Sequence, residues 1–120
     1  MIPTDWMPHR RRSDGELVGY LTLEGEGFVP LTVFGHQISD ALDLDDAETV
    51  LEERGLGILA DRWVWSNTAV DGRPEMYVRI VEVTSERVRV VDDDTGAAAV
   101  VGANLTTYDL PVPTEDLRPA

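Results

Sequence analysis

Glu75-Met76-Tyr77-Val78-Arg79-Ile80-Val81-Glu82-Val83-Thr84 is the stretch from which the fold is read. Met76, Val78 and Ile80 recur at a period of two, the period of a strand with one buried face. The phase then slips, because Val81 and Val83 continue the apolar series one position out of step. Such a slip marks a β-bulge or burial on both faces. Ser85-Glu86 is a short turn, and Val88 and Val90 then alternate with Arg87 and Arg89 in the next strand.

Working upstream, residues 62–68 read as a strand with Trp63 and Trp65 on one face and Val64 on the other. Val70-Asp71-Gly72-Arg73 separates it from residues 75–84 with a turn signal. Downstream, residues 92–96 turn the chain again and residues 97–101 pair back. The tail, residues 104–120, carries Pro111, Pro113 and Pro119 and is expected to run extended over the surface.

Further out lies a second strand pair. Residues 16–23 alternate, with Leu17, Leu21 and Leu23 on one face and Val18, Tyr20 and Thr22 on the other. Glu24-Gly25-Glu26-Gly27 supplies a hairpin turn. Residues 28–34 follow, and Pro30, lacking an N–H, places this strand at an edge or at a bulge. After a connector over 35–44, residues 46–54 form the one clear helix, with Ala47, Val50 and Leu51 as its apolar stripe. Asp45 with Glu48 reads as its cap, and Asp43 with Asp46 is the competing choice. Gly55 is expected in the left-handed stop position, with Leu56 folding back on Leu51. Residues 57–61 read as a further short turn of helix.

This order predicts an α+β fold: an antiparallel sheet of about five to six strands with one docked helix near 46–54. The sheet is either open or curled into a small barrel or roll. Residues 1–120 form a single domain, with 1–14 an irregular N-terminal arm and 104–120 an extended C-terminal tail.

The charge excludes whole classes of function. All 10 basic residues are arginine, and they face 23 Asp and Glu for a net charge of -13. Affinity for nucleic acid comes from cations that neutralise phosphates, so this body is expected to bind none. Without cysteine there is no disulfide framework, no thiolate metal site and no cysteine nucleophile. The start of the chain lacks an apolar signal region, and no apolar run approaches a membrane span. A cytoplasmic protein with no membrane partner is therefore expected.

One cluster breaks the acidic pattern. Trp6, His9, Arg10, Arg11 and Arg12 sit together in the arm, and guanidinium forks beside an indole suit a carboxylate, a phosphate or a protein partner. The competing expectation is that the arm folds back onto the acids of its own body. His9 and His36 are the only histidines and lie too far apart for a paired-ligand motif, so no metal and no cofactor are expected. His36 is expected at the surface of a loop. Asp92-Asp93-Asp94-Thr95-Gly96 lacks the alternating acids of a calcium loop and reads as a turn. Trp63, Trp65, Tyr77 and Tyr20 read as core before they read as the lining of a pocket. No motif assigns a catalytic residue.

Several segments taken together resemble a group of small uncharacterised proteins from high-GC actinobacteria. They are Trp6-Met7-Pro8-His9-Arg10-Arg11, Asp14-Gly15-Glu16-Leu17-Val18-Gly19-Tyr20, Ala47-Glu48 with Leu51, Gly55-Leu56, Leu59-Ala60, Val81-Glu82-Val83, Tyr108-Asp109-Leu110-Pro111 and Asp116-Leu117-Arg118-Pro119. The resemblance spans nearly the whole chain and implies a free-standing cytoplasmic protein, with no activity attached. The sequence thus points to a non-enzymatic interaction or ligand-binding module. Its partner is expected to be a second copy, forming a homodimer through an exposed strand edge or apolar patch, or another protein. A small carboxylate-dependent enzyme and an acidic decoy for a basic nucleic-acid-binding protein are the alternatives.

Overall fold

The structure is a computed structural model that describes residues 1–66, 68, 70–93 and 106–120. The fold is α+β, with two antiparallel sheets and one α-helix among the described residues. The first sheet has the order β1-β2-β3, from Met7–Arg10, Leu17–Glu24 and Gly27–Leu31. Helix α1, Leu44–Arg54, packs on this sheet, burying Ala47 and Leu51 against Val18 and Leu21. Its cap is the second of the two sequence choices: the Asp46 N–H donates to Asp43 Oδ1 at 2.8 Å. Asp45 and Asp46 lie in the first turn, where the positive end of the helix dipole favours them.

Two glycines let the helix approach this closely. Gly19 on β2 has φ +152°, and a Cβ there would fall 2.2 Å from the Leu31 carbonyl oxygen and 2.7 Å from Leu51 Cδ2. Gly55 corrects an expectation. With φ -56° and ψ -41° it is right-handed, and its N–H continues the helix to the Leu51 carbonyl at 2.9 Å. Glycine is needed here because a Cβ would lie 2.2 Å from the Val18 carbonyl oxygen. Close packing, not helix termination, decides the residue.

The faces of β2 differ from simple alternation for a related reason. The register with β1 shifts between His9 and Arg10, so that Gly19 opposes His9 and Leu17 opposes Arg10. Val18 is the extra residue. Leu17 and Tyr20 consequently share one face, and Val18 and Leu21 share the other.

The second sheet has the order β7-β6-β5-β4-β8. Its strands are β4 Arg62–Ser66, β5 Glu75–Val83, β6 Arg87–Asp92, β7 Thr107–Pro111 and β8 Leu117–Pro119. Four strands form a meander, and the fifth returns beside the first. Strands β7 and β8 therefore lie at opposite edges although only residues 112–116 join them. In a flat sheet those edges would be ~19 Å apart at four spacings of ~4.8 Å. A connection that short reaches so far only when straight, yet Val112 within it is buried in the core. The sheet curls instead. One core gathers Trp63, Met76, Val78, Val88, Val90, Leu110 and Leu117 from all five strands, and Phe34 enters it from the first half of the chain.

Both chain ends differ from the sequence reading. Met7–Arg10, expected as irregular arm, is an edge strand. Residues 107–119, expected as an extended tail over the surface, contribute two edge strands and bury Leu110, Val112 and Leu117. Tyr108, Leu110 and Val112 already have the period of a half-buried strand. Their prolines are tolerated because an edge strand needs only one side of its ladder. The bulge read from the phase slip in β5 is present: Ile80 pairs with Val90, Glu82 with Arg89 and Val83 with Val88, leaving Val81 as the extra residue. The strand expected over 97–101 and part of the turn over 92–96 lie outside the described residues.

Candidate functional site

The N-terminal cluster is anchored to its own body. His9, on the inner side of β1, is 9% exposed and lies between two carboxylates of α1. Its Nδ1 is 3.2 Å from Glu48 Oε2, and its Nε2 is 3.6 Å from Glu52 Oε2. Arg11 grips Asp14 with bonds of 3.0 and 2.6 Å. That contact holds the Asp14 carboxyl at about 2, well below the usual carboxylate range. The Arg12 backbone N–H donates to Glu52 Oε1 at 3.0 Å, and this bond is the largest cause holding Glu52 below its ordinary value. Arg10 donates to the Gly15 carbonyl at 3.2 Å. Trp6 leans on Tyr20, with ring centroids 5.8 Å apart, and covers Gly35 so closely that a Cβ there would fall 2.8 Å from the indole. The five residues are near one another, but they face different partners; Arg10 is exposed and the Arg12 side chain stands largely in solvent.

The second sheet carries a buried charge cluster at the base of β5. Asp93 is 1% exposed, with Oδ2 3.0 Å from Arg79 Nε and 3.3 Å from Arg62 Nε. Arg79 also donates to the Ala60 carbonyl at 3.0 Å. The pair of bonds ties β5 to the 3-10 turn Gly57–Ala60 that follows α1. Asp92 pairs with Arg73 at 3.2 Å. Each described member of the acid run thus has an arginine partner.

His36 also departs from a plain surface position. Half-buried, it meets the Trp63 indole edge-on at 4.9 Å and 86°. Burial pushes its imidazole below the ordinary value of 6.5. The folded state thus favours the neutral ring, whereas the unfolded chain takes up the proton more readily. Stability from His36 is present above the ordinary value and is lost as pH falls below it. Urea denaturation of wild type and His36→Gln should show this: the wild-type advantage shrinks as the buffer is taken from about pH 7.5 to about pH 5.5. An advantage that is constant over that range would contradict it.

An open space of about 510 Å³ lies where the two sheets meet. Its walls are Leu17 and Tyr20 of β2, Leu56 and Leu59 after the helix, and Ile80 and Val81 of β5. Each wall follows from a feature already described. The extra residue in β2 turns Leu17 and Tyr20 to the same side. The extra residue in β5 leaves Val81 55% exposed beside the cleft. Arg79, held by Asp93, fixes the turn that carries Leu59. Glu16, Glu82, Thr84 and Ser85 are its polar lining residues.

Of the aromatic residues read from sequence, Tyr20 lines this cleft. Trp63 is in the core, Trp65 packs on Tyr108 at 5.3 Å, and Tyr77 lies under the Arg62 guanidinium at 4.1 Å. Sequence reasoning passed over Leu17, Leu59 and Val81 as a group. The signal that could have found them is the apolar Val81 at the phase slip, where a bulge exposes a side chain. No family model, curated protein or solved structure matches this chain. Among the described residues, no helix is long and apolar enough to cross a membrane.

Proposed function

We propose that the protein is a non-enzymatic binding module of the cytoplasm, and that the cleft between its sheets takes the ligand. The observation that carries this reading is the cleft itself. Its volume of about 510 Å³ falls in the range of ligand sites, and aliphatic walls with a few polar rim groups are the usual composition of such sites. Its largely apolar walls favour desolvation of a ligand. Bulged Val81 adds an exposed apolar side chain on one flank of this lining.

The test is titration with Nile red, a neutral apolar dye. Wild type should bind it with a fluorescence increase. Val81→Glu should weaken binding by about tenfold or more, because a carboxylate then has to be desolvated at the flank. Its melting temperature should barely change, since the residue is exposed. Leu23→Glu, at the far end of β2 and 68% exposed, should leave dye binding intact. Equal binding by wild type and Val81→Glu would overturn the assignment.

A further inference from the structure

We infer that the ligand of this cleft is an extended, cationic stretch of polypeptide that adds as a strand to the uncovered part of β5. The inference rests on the cleft being a binding site and names what it binds.

Strand lengths leave part of β5 uncovered. On one side, β6 accompanies β5 as far as the pairing of Val83 with Val88. On the other, β4 stops at the pairing of Arg62 with Arg79. Among the described residues, 80–83 therefore have a neighbouring strand on one side only. Backbone direction shows which groups this leaves open. The Tyr77 carbonyl accepts from the Asp93 N–H at 2.8 Å, so Tyr77 faces the β6 side. Antiparallel alternation then turns the N–H and C=O of Val78 and Ile80 toward β4. Val78 meets Trp63 there. No described residue pairs with Ile80 there, because the preceding chain has turned away at Asp61, whose N–H is bonded to the Ile58 carbonyl. Among the described residues, none bonds the Ile80 backbone on this side. An open donor and acceptor on a strand edge is a template for another strand.

That edge runs along the cleft, which Ile80 and Val81 both line. A strand laid beside it would alternate its side chains. One set would enter the apolar floor of Leu17, Tyr20 and Leu59, and the other would stand toward the rim. The rim chooses the charge. Glu16 at the cleft and Glu86 in the adjoining hairpin take part in no ion pair among the described residues. By contrast, nearby Arg87 and Arg89 are already engaged with Glu82 and Asp109. The chain as a whole carries -13. A second copy would bring the same charge to the contact, and a small apolar molecule would leave the Ile80 backbone unused. A peptide with apolar residues alternating with lysine or arginine satisfies the floor, the edge and the rim together.

Isothermal calorimetry with capped octapeptides tests this. The probes are valine alternating with lysine, valine alternating with glutamate, and two N-methylated forms of the first. One form is methylated at every valine and the other at every lysine, so each blocks one edge of the peptide strand. The lysine peptide is expected to bind, to displace Nile red and to weaken as salt is raised. The glutamate peptide should bind at least about tenfold more weakly, and one of the methylated forms should lose binding while the other keeps it. Equal binding by both methylated forms would overturn strand addition, and equal binding by the glutamate peptide would overturn the charge assignment. Nile red binding with no peptide binding would sink this inference and leave the cleft reading standing. Absence of both would sink the two together. Broadening of residues 80–83 in amide spectra on raising protein concentration alone would give the edge to a second copy and overturn the partner named here.

Discussion

Replacing Gly19 with alanine is expected to destabilise the protein by about 3 kcal/mol or more, enough to unfold a marginal domain of this size. Two costs combine. The φ of +152° is one that side-chain-bearing residues rarely adopt, and the new Cβ would enter space held by the Leu31 carbonyl at 2.2 Å and Leu51 Cδ2 at 2.7 Å. Neither neighbour can move freely. Leu31 is a strand residue paired with Tyr20, and Leu51 is fully buried on the inner face of α1. Relief would require α1 to lift from β2, re-exposing Leu51, Ala47 and Val18, and each large side chain uncovered costs ~1.5–3 kcal/mol. Gly25→Ala is the internal control. It too has positive φ, +61°, but nothing lies within 4 Å of its new Cβ, so it should cost only the ~1–2 kcal/mol of the backbone conformation. Urea denaturation of the two variants separates steric contact from backbone strain. If Gly19→Ala costs no more than Gly25→Ala, the helix does not sit on the strand as closely as described.

A second large effect is expected at Asp93. Its carboxylate lies 3.0 and 3.3 Å from two guanidinium groups and is itself 1% exposed. Asp93→Asn keeps the shape and removes the charge that lets Arg62 and Arg79 converge. Breaking a buried ion pair in this way costs ~3–5 kcal/mol. Arg62 and Arg79 are 36% and 40% exposed, so water screens part of the repulsion and about 2–4 kcal/mol is the better expectation. Further removal of Arg79, as Asp93→Asn with Arg79→Met, should recover part of the loss, because one of the two opposed cations is gone. The consequence reaches the cleft. Arg79 holds the Ala60 carbonyl, and the turn it fixes carries Leu59 into the cleft wall. Asp93→Asn should therefore also weaken Nile red binding under conditions where the protein remains folded. Stability within about 0.5 kcal/mol of wild type would show that the carboxylate does not hold the arginines together.

Period-two alternation made β4, β5 and β6 legible from the sequence, and three-four spacing with two candidate caps did the same for α1. Each is a local pattern, and local patterns are what a single sequence displays. The bulge in β5 was legible as well, as the slip from Ile80 to Val81. Less legible was what depends on distant partners. Trp6, His9 and the three arginines look like a free basic arm until the fold brings Glu48 and Glu52 of α1 to His9 and Arg12, sets Asp14 beside Arg11 and lays Trp6 on Tyr20. Pro111 and Pro113 suggested a tail on the surface, although Leu110 before them and Val112 between them belong to the core. Gly55 looked like a helix stop because the Val18 carbonyl that excludes its Cβ belongs to another strand. The cleft is the extreme case. Leu17, Leu59 and Val81 are ordinary apolar positions in sequence, and only two register shifts and the meeting of two sheets turn them to one space.

The assignment of the cleft as the binding surface is tested most directly by the amide spectrum of the isotopically labelled protein, recorded as Nile red is added. Shifts are expected at Leu17, Tyr20, Leu59, Ile80, Val81 and Val83, with the N-terminal cluster unmoved because His9, Arg11 and Arg12 are held by their own acids. Shifts centred on Trp6, His9 and residues 10–12, with the cleft silent, would contradict the assignment and return the binding surface to the basic arm.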